Sequence, residues 1–360
     1  MPVMPSSCGM VRLLTPDMIM DYQDIISFER LYDGLQRCKR GTTWKDGTTI
    51  YCANGLKNTY RLRQRLLKKT YKIGAYKRFM ITDPKRREVM ATWIVDRQFQ
   101  RSLCDNYLYE ALTRGLIRDN FACQVGRGVD DALDRMETHL RRYYRKHGAD
   151  GWVLQCDIHH YFPETPHEVA KTAVRKRVQD DEVYEAVCQI IDSFGGDKGI
   201  GLGSQVSQLV QLAVLDDMDH VIKERLREKH YLRYMDDFLI ISDSKDRLRK
   251  DLQKIRKITE SLGLQLNKKT TIYPISQGIV WLKWRFILTP SGKVIRRMSG
   301  RSIAKMRRKL KRMKAQCDAG KMARETPAES MRSWIANARR GNTREAVIAM
   351  QKYYRELFDE

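Results

Sequence analysis

At 360 residues and 42% apolar content, the chain is long enough to bury a real core in two or three lobes and to fold on its own. Its 68 Lys and Arg against 44 Asp and Glu leave a formal charge of +24, beyond what solubility requires, so a polyanionic partner is expected, with nucleic acid ahead of a ribosomal or membrane surface. No apolar run approaches the roughly 18 to 20 residues of a membrane span, no leader pattern opens the chain, and eight cysteines without a C-x-x-C pair or zinc-spaced histidines read as reduced thiols, which removes membrane, secreted and zinc-finger classes and leaves a cytoplasmic protein.

Thr15-Pro16-Asp17 supplies an N-cap, a first-turn proline and an early acid, and Met18, Ile19, Tyr22, Ile25, Ile26 and Leu31 follow at mainly helical spacing, predicting an N-terminal helix. The glycine-rich stretch 41–55 reads as a loop and 56–69 as a basic helix. Short strands over 76–80 and 87–92 flank an Asp83-Pro84 turn with Lys85, Arg86 and Arg87, a basic hairpin. Positions 57 to 87 hold 12 basic residues and one acid. A helix follows over 96–116, then a loop with Arg127 between Gly126 and Gly128 leads into a helix at Asp130, and 152–157 is a mostly apolar strand. The loop 195–203 opens an amphipathic helix over 205–228. The apolar run 231–242 is interrupted only by Arg233 and the pair Asp236-Asp237. A helix over 245–262, short strands over 264–273 and 279–288, and a basic helical tail complete the chain; positions 283 to 360 carry 21 basic residues against 7 acidic ones. Two positive walls therefore flank a centre where carboxylates collect.

Adjacent acids inside an apolar strand pattern are costly to bury unless a charge or metal compensates them. Asp236 and Asp237 read as the tip of a tight hairpin, or as an ordinary acidic turn. Asp157 closes a second apolar strand about 80 residues earlier, and pairing the strands in one sheet would bring the acids together. Three such carboxylates are what two Mg²⁺ ions need for nucleotidyl transfer. Magnesium takes hard oxygen ligands, so the absence of histidine and cysteine clusters fits, and His159 and His160 read as structural or cleft-lining.

At this point the residues resemble the reverse transcriptases. Tyr234-Met235-Asp236-Asp237 is similar to their signature tetrapeptide, and Asp157-Ile158-His159-His160-Tyr161-Phe162 to their first palm motif. Leu202-Gly203-Ser204-Gln205-Val206-Ser207-Gln208 resembles the G-x-x-x-S helix start, Leu266-Asn267-Lys268-Lys269-Thr270 the lysine motif, and Trp281-Leu282-Lys283-Trp284-Arg285-Phe286 the primer-grip hairpin. The resemblance runs over about 56–290. It implies an α+β right-hand polymerase: an N-terminal helical extension over 1–55, fingers and an antiparallel palm over 56–288, and a basic helical thumb over 289–360. It departs from the family at Lys283, where glycine is usual, and in the short lysine motif, which leaves Lys268 as a rival to Lys269.

The resemblance also implies roles. Asp157, Asp236 and the Ile158 carbonyl would ligate metal, with Asp237 completing the acidic centre. Arg87, with Lys85 second, would contact triphosphate, and Phe162 would crowd the sugar 2′ position and favour DNA synthesis. Gly203 would let the backbone approach the nascent pair, Lys269 would protonate pyrophosphate, and Arg127 and Trp284 would touch template or primer. Leu202 and Gln208 stand where many members have Gln and Pro, a pattern similar to the reverse transcriptases of diversity-generating retroelements. That similarity implies error-prone copying of a template RNA from a DNA primer with dNTPs, together with an accessory variability protein. The rivals are an antiviral-defence or group II intron-like reverse transcriptase, and a catalytically silent RNA-binding scaffold, which has no reason to keep three uncompensated acids.

Overall fold

The computed structural model describes residues 20–82 and 86–358. The cap expected at Thr15 and the Asp83-Pro84 turn with Lys85 lie outside these residues. Nine strands among them form three antiparallel sheets. β1 (Lys77–Ile81) and β2 (Arg87–Ala91) make an isolated hairpin. β3 (Trp152–Asp157), β4 (Tyr231–Tyr234), β5 (Asp237–Ser242) and β6 (Thr271–Pro274) form a central sheet in the order β4-β5-β3-β6. β7 (Ile279–Trp281), β8 (Trp284–Leu288) and β9 (Val294–Met298) form a third sheet in chain order. The division expected at 288/289 falls between β8 and β9, which are paired.

The central sheet is buried on both faces, which is why its strands read as apolar runs. Leu154, Cys156, Phe238 and Ile240 enter one core with Val206, Leu209 and Val210 of the helix Gln205–Val214 and with Val187 and Ile190 of the helix Asp181–Asp192. Val153, Leu239 and Ile241 enter a second core, built on Leu133, Met136 and Leu140 of the helix Val129–His147 and on Trp281, Trp284 and Phe286 of the third sheet. Ile26, Leu31, Leu62, Leu66 and Phe99 make a small core under the N-terminal helices. Met306, Leu310, Met331 and Met350 join three C-terminal helices, Gly300–Asp318, Glu325–Ala338 and Arg344–Phe358.

Several elements differ from expectation. The first helix is broken: Tyr22–Ile25, capped by Asp21, stops at Ile26, and Phe28–Lys39 begins after Ser27. The stretch 41–55 contains a helix, Asp46–Ala53, anchored by buried Thr48. The helices expected over 96–116 and 205–228 each contain a π-helical turn, at Cys104–Leu108 and Val221–Arg225. Residues 264–270 are a turn with one bridge, Ile158 to Leu266, rather than strand.

Candidate active site

Strand register brings the aspartates together. Asp157 ends β3 and Asp237 begins β5, and they are direct cross-strand partners in the ladder that also pairs Gln155 with Leu239 and Val153 with Ile241. Partners share a face, so the two side chains stand roughly 5 Å apart at Cβ, where like charges repel. Asp236 is the second residue of the Met235-Asp236 turn between β4 and β5. Met235 takes φ 56°, the left-handed conformation that two-residue hairpins demand. The Ile158 N–H donates to the Asp236 carbonyl at 3.3 Å and ties the turn to the end of β3.

The site carries more negative charge than its surroundings neutralise. Burial pushes the Asp236 carboxyl up to about 6, helped by the Asp157 charge and a hydrogen bond shared with the Asp157 carboxyl, while the positive charge of Arg87 works against the rise. Burial and both neighbouring aspartates push Asp237 up to about 7, opposed by Gln155 and the Trp281 indole. Among the described residues no group of three His, Cys, Asp or Glu side chains is arranged to hold a metal ion. The donors are all hard carboxylate oxygens in charge excess, which fits a divalent ion that prefers oxygen and keeps its own waters.

Asn267 was not singled out from sequence, yet it fastens Asp157 twice: its Nδ2 donates to Asp157 Oδ2 at 3.0 Å, and its backbone N–H donates to the Asp157 carbonyl at 2.7 Å. Its own Oδ1 accepts from the Lys269 N–H at 3.1 Å. Lys268 and Lys269 are both exposed beside this clamp. A polar side chain between Leu266 and the lysines was the available signal.

The other predicted residues occupy distinct positions. Arg87 is exposed at the start of β2, and the Met90 N–H of that strand donates to the Leu202 carbonyl at 2.9 Å. Gly203 has φ +125°, and a Cβ there would come within 3.0 Å of the Met90 carbonyl oxygen, so this close approach requires glycine. Half-buried Phe162 lies edge-on to Tyr161 at 5.8 Å, and its carbonyl accepts from the Ile200 N–H at 2.8 Å. Gln208 is exposed, with Oε1 3.5 Å from Cys123 Sγ, and Ile158 is buried.

Two side chains expected to touch template or primer also make contacts within the protein. Arg127 Nη1 donates to the carbonyls of Ile117, Arg118 and Asn120 at 3.3, 3.5 and 3.1 Å and so staples its own loop. Trp284 is 2% exposed, packed in the second core with the Arg296 guanidinium 5.8 Å above its ring. His159 and His160 are exposed with ring centroids 4.1 Å apart, and Lys85 lies outside the described residues.

Comparison with known proteins gives three results. Residues 87–311 match the family described as reverse transcriptase (RNA-dependent DNA polymerase). Protein YkfC of Escherichia coli (strain K12) is 26% identical over 178 residues, covering 38% of this chain and 47% of that protein. The telomerase of Candida albicans, solved in complex with a TWJ fragment of telomeric RNA, superposes with a TM-score of 0.50 at 13% identity over 64% of this chain and 46% of that one. The chain thus spans about half the length of these relatives, and the telomerase likeness shows a shared polymerase fold of helices and antiparallel sheets.

Proposed function

The chain belongs to the reverse transcriptase (RNA-dependent DNA polymerase) family, and from that premise we propose that it copies a template RNA into DNA by divalent-metal nucleotidyl transfer, with low fidelity, in a diversity-generating retroelement. The observation that carries the catalytic part is the cross-strand pair Asp157/Asp237 beside Asp236, where burial and neighbouring carboxylates raise the Asp236 and Asp237 carboxyls.

Asp157, Asp236, Asp237 and the Ile158 carbonyl are the proposed ligands of two Mg²⁺ ions, which when bound supply an activated primer 3′-hydroxyl and charge stabilisation at the leaving pyrophosphate. The chain's own residues then divide the remaining work. Arg87 grips phosphate oxygens with its planar guanidinium. Exposed Lys269 gives a proton to the pyrophosphate. Phe162 blocks the space a 2′-hydroxyl would need and so selects dNTPs. Gly203 admits the nascent base pair close to backbone, with Leu202 and Gln208 beside it. Leu202 is apolar, so it offers that pair no side-chain hydrogen bond, and discrimination against mispairs weakens accordingly. The lobes follow the division stated above: an extension over 1–55, fingers and palm over 56–288, and a thumb over 289–360. Template RNA, a DNA primer and an accessory variability protein are the proposed partners.

Primer extension on poly(rA) and mixed RNA templates tests the proposal, comparing dNTPs with rNTPs and wild type with Asp236→Asn, with product sequencing. Extension by wild type alone, with dNTPs and with errors gathered opposite template adenines, is the expected result. Extension by neither protein, with or without cellular RNA and an accessory protein, would leave the silent scaffold.

A further inference from the structure

The apolar run that carries Asp236 and Asp237 also contains Arg233, which lies three residues before Asp236 and is 0% exposed. We infer that Arg233, held by Asp219 and Tyr231, is a positioning residue that clamps the Met235-Asp236 turn in its working conformation; the inference rests on the polymerase reading and names a further part of that site.

Every nitrogen of the Arg233 guanidinium is engaged. Nε donates to Asp219 Oδ1 at 2.7 Å and Oδ2 at 2.9 Å, and Nη2 to Asp219 Oδ2 at 2.6 Å and the Leu212 carbonyl at 3.3 Å. Nη1 donates to the Met235 carbonyl at 3.0 Å. Asp219 is itself 0% exposed and accepts a further bond from the Tyr231 hydroxyl at 2.5 Å. The backbone of Arg233 is held as well: its N–H donates to the Asp119 carbonyl at 2.9 Å, and its carbonyl accepts from the Phe121 N–H at 3.2 Å.

The anchored end of this fork is therefore rigid, and its free arm reaches one target. Met235 is a non-glycine residue at φ 56°, a conformation that costs free energy and persists only where surroundings enforce it. Arg233 fixes the Met235 carbonyl on one side of Asp236, and the Ile158 N–H fixes the Asp236 carbonyl on the other. Both peptide planes that orient the Asp236 Cα are thus tied down. A buried ion pair is in itself weak evidence for stability, because apolar residues of similar volume often do as well. A fork whose spare arm holds the catalytic turn has a use that apolar packing cannot replace.

The test combines three variants with four readouts: dNTP incorporation, template affinity, amide exchange of the segment 231–241 and melting temperature. Arg233→Lys keeps the charge and loses the planar fork, so kcat is expected to fall about 100-fold, with KM for dNTP and template affinity within about threefold of wild type and faster exchange in the segment. Adding Met235→Gly to Arg233→Lys restores part of kcat, because glycine adopts positive φ without a clamp; a purely structural role predicts no such rescue. The triple change Tyr231→Phe, Arg233→Met and Asp219→Leu keeps the melting temperature within a few degrees and still loses kcat. A triple variant with kcat within about threefold of wild type, or Arg233→Lys with wild-type kcat and exchange, overturns the inference. If the triple variant does not fold, the lysine variant and its glycine rescue decide. If wild type extends no primer, the polymerase reading fails, and exchange in Arg233→Lys still decides the clamp.

Discussion

At Asn267 one amide side chain faces a carboxylate that has two other duties, to share a hydrogen bond with Asp236 and to stand beside Asp237. Removing the amide leaves Asp157 free to rotate, and loss of such a supporting bond typically lowers metal affinity or activity about 10- to 100-fold. Asn267→Ala is therefore expected to raise the Mg²⁺ concentration for half-maximal extension within that range, read from a metal titration of initial rates, with template binding unchanged. The role proposed for Phe162 concerns selectivity instead. Phe162→Ala opens the space beside the sugar, and the preference for dNTPs over rNTPs is expected to drop by up to roughly 100-fold in single-nucleotide incorporation assays.

The strands β3, β4 and β5 carry a pH dependence whose sign follows from the raised carboxyls. An unfolded chain releases these protons near the ordinary 3.8, whereas the folded one keeps them to about 6 at Asp236 and about 7 at Asp237. Between these limits the folded state binds more protons, so stability falls as pH rises through 6 and 7. In EDTA the melting temperature is expected to decline from pH 5 to pH 8 more steeply in wild type than in Asp237→Asn, and Mg²⁺ at pH 8 is expected to reverse the decline by binding the folded state. The β7–β8 turn gives a second prediction. Leu282 and Lys283 have φ 48° and 72°, the paired left-handed residues of a type I′ hairpin, which favours glycine at its second position. Lys283→Gly is expected to raise the melting temperature by a few degrees in a thermal scan. Apolar runs and the acids that break them make β3, β4, β5 and the three aspartates legible in sequence. The helix Asp46–Ala53 is hidden by Gly47 and consecutive threonines, and β9 by Arg296 and Arg297 within it. Asn267 and Arg233 escape for another reason: their partners are backbone carbonyls and residues brought close only by the fold.

Across the whole molecule, basic residues gather toward both ends of a charge of +24. Arg301, Arg308 and Arg312 are exposed on the helix Gly300–Asp318, on the lobe proposed as the thumb. If that face tracks a backbone, changing all three to Gln weakens binding of every template sequence alike and lowers the slope of log affinity against log salt by about 2 to 3. Fluorescence anisotropy on two unrelated RNAs over a salt series reads both quantities. A sequence-dependent loss, or an unchanged slope, would move the nucleic acid off this face.

The ladder between Asp157 and Asp237 has a further consequence for how such a chain can change over generations. Side chains alternate along a strand, so one residue gained within β5 would turn Asp237 to the opposite face and bring Phe238 beside Asp157, and one residue lost would bring Asp236 there instead. Surface helices can lengthen or shorten with little effect on the chemistry, whereas this segment must keep its parity. Descendants of the sequence can vary in composition at many surface positions, but in these six positions their spacing is inherited as a unit.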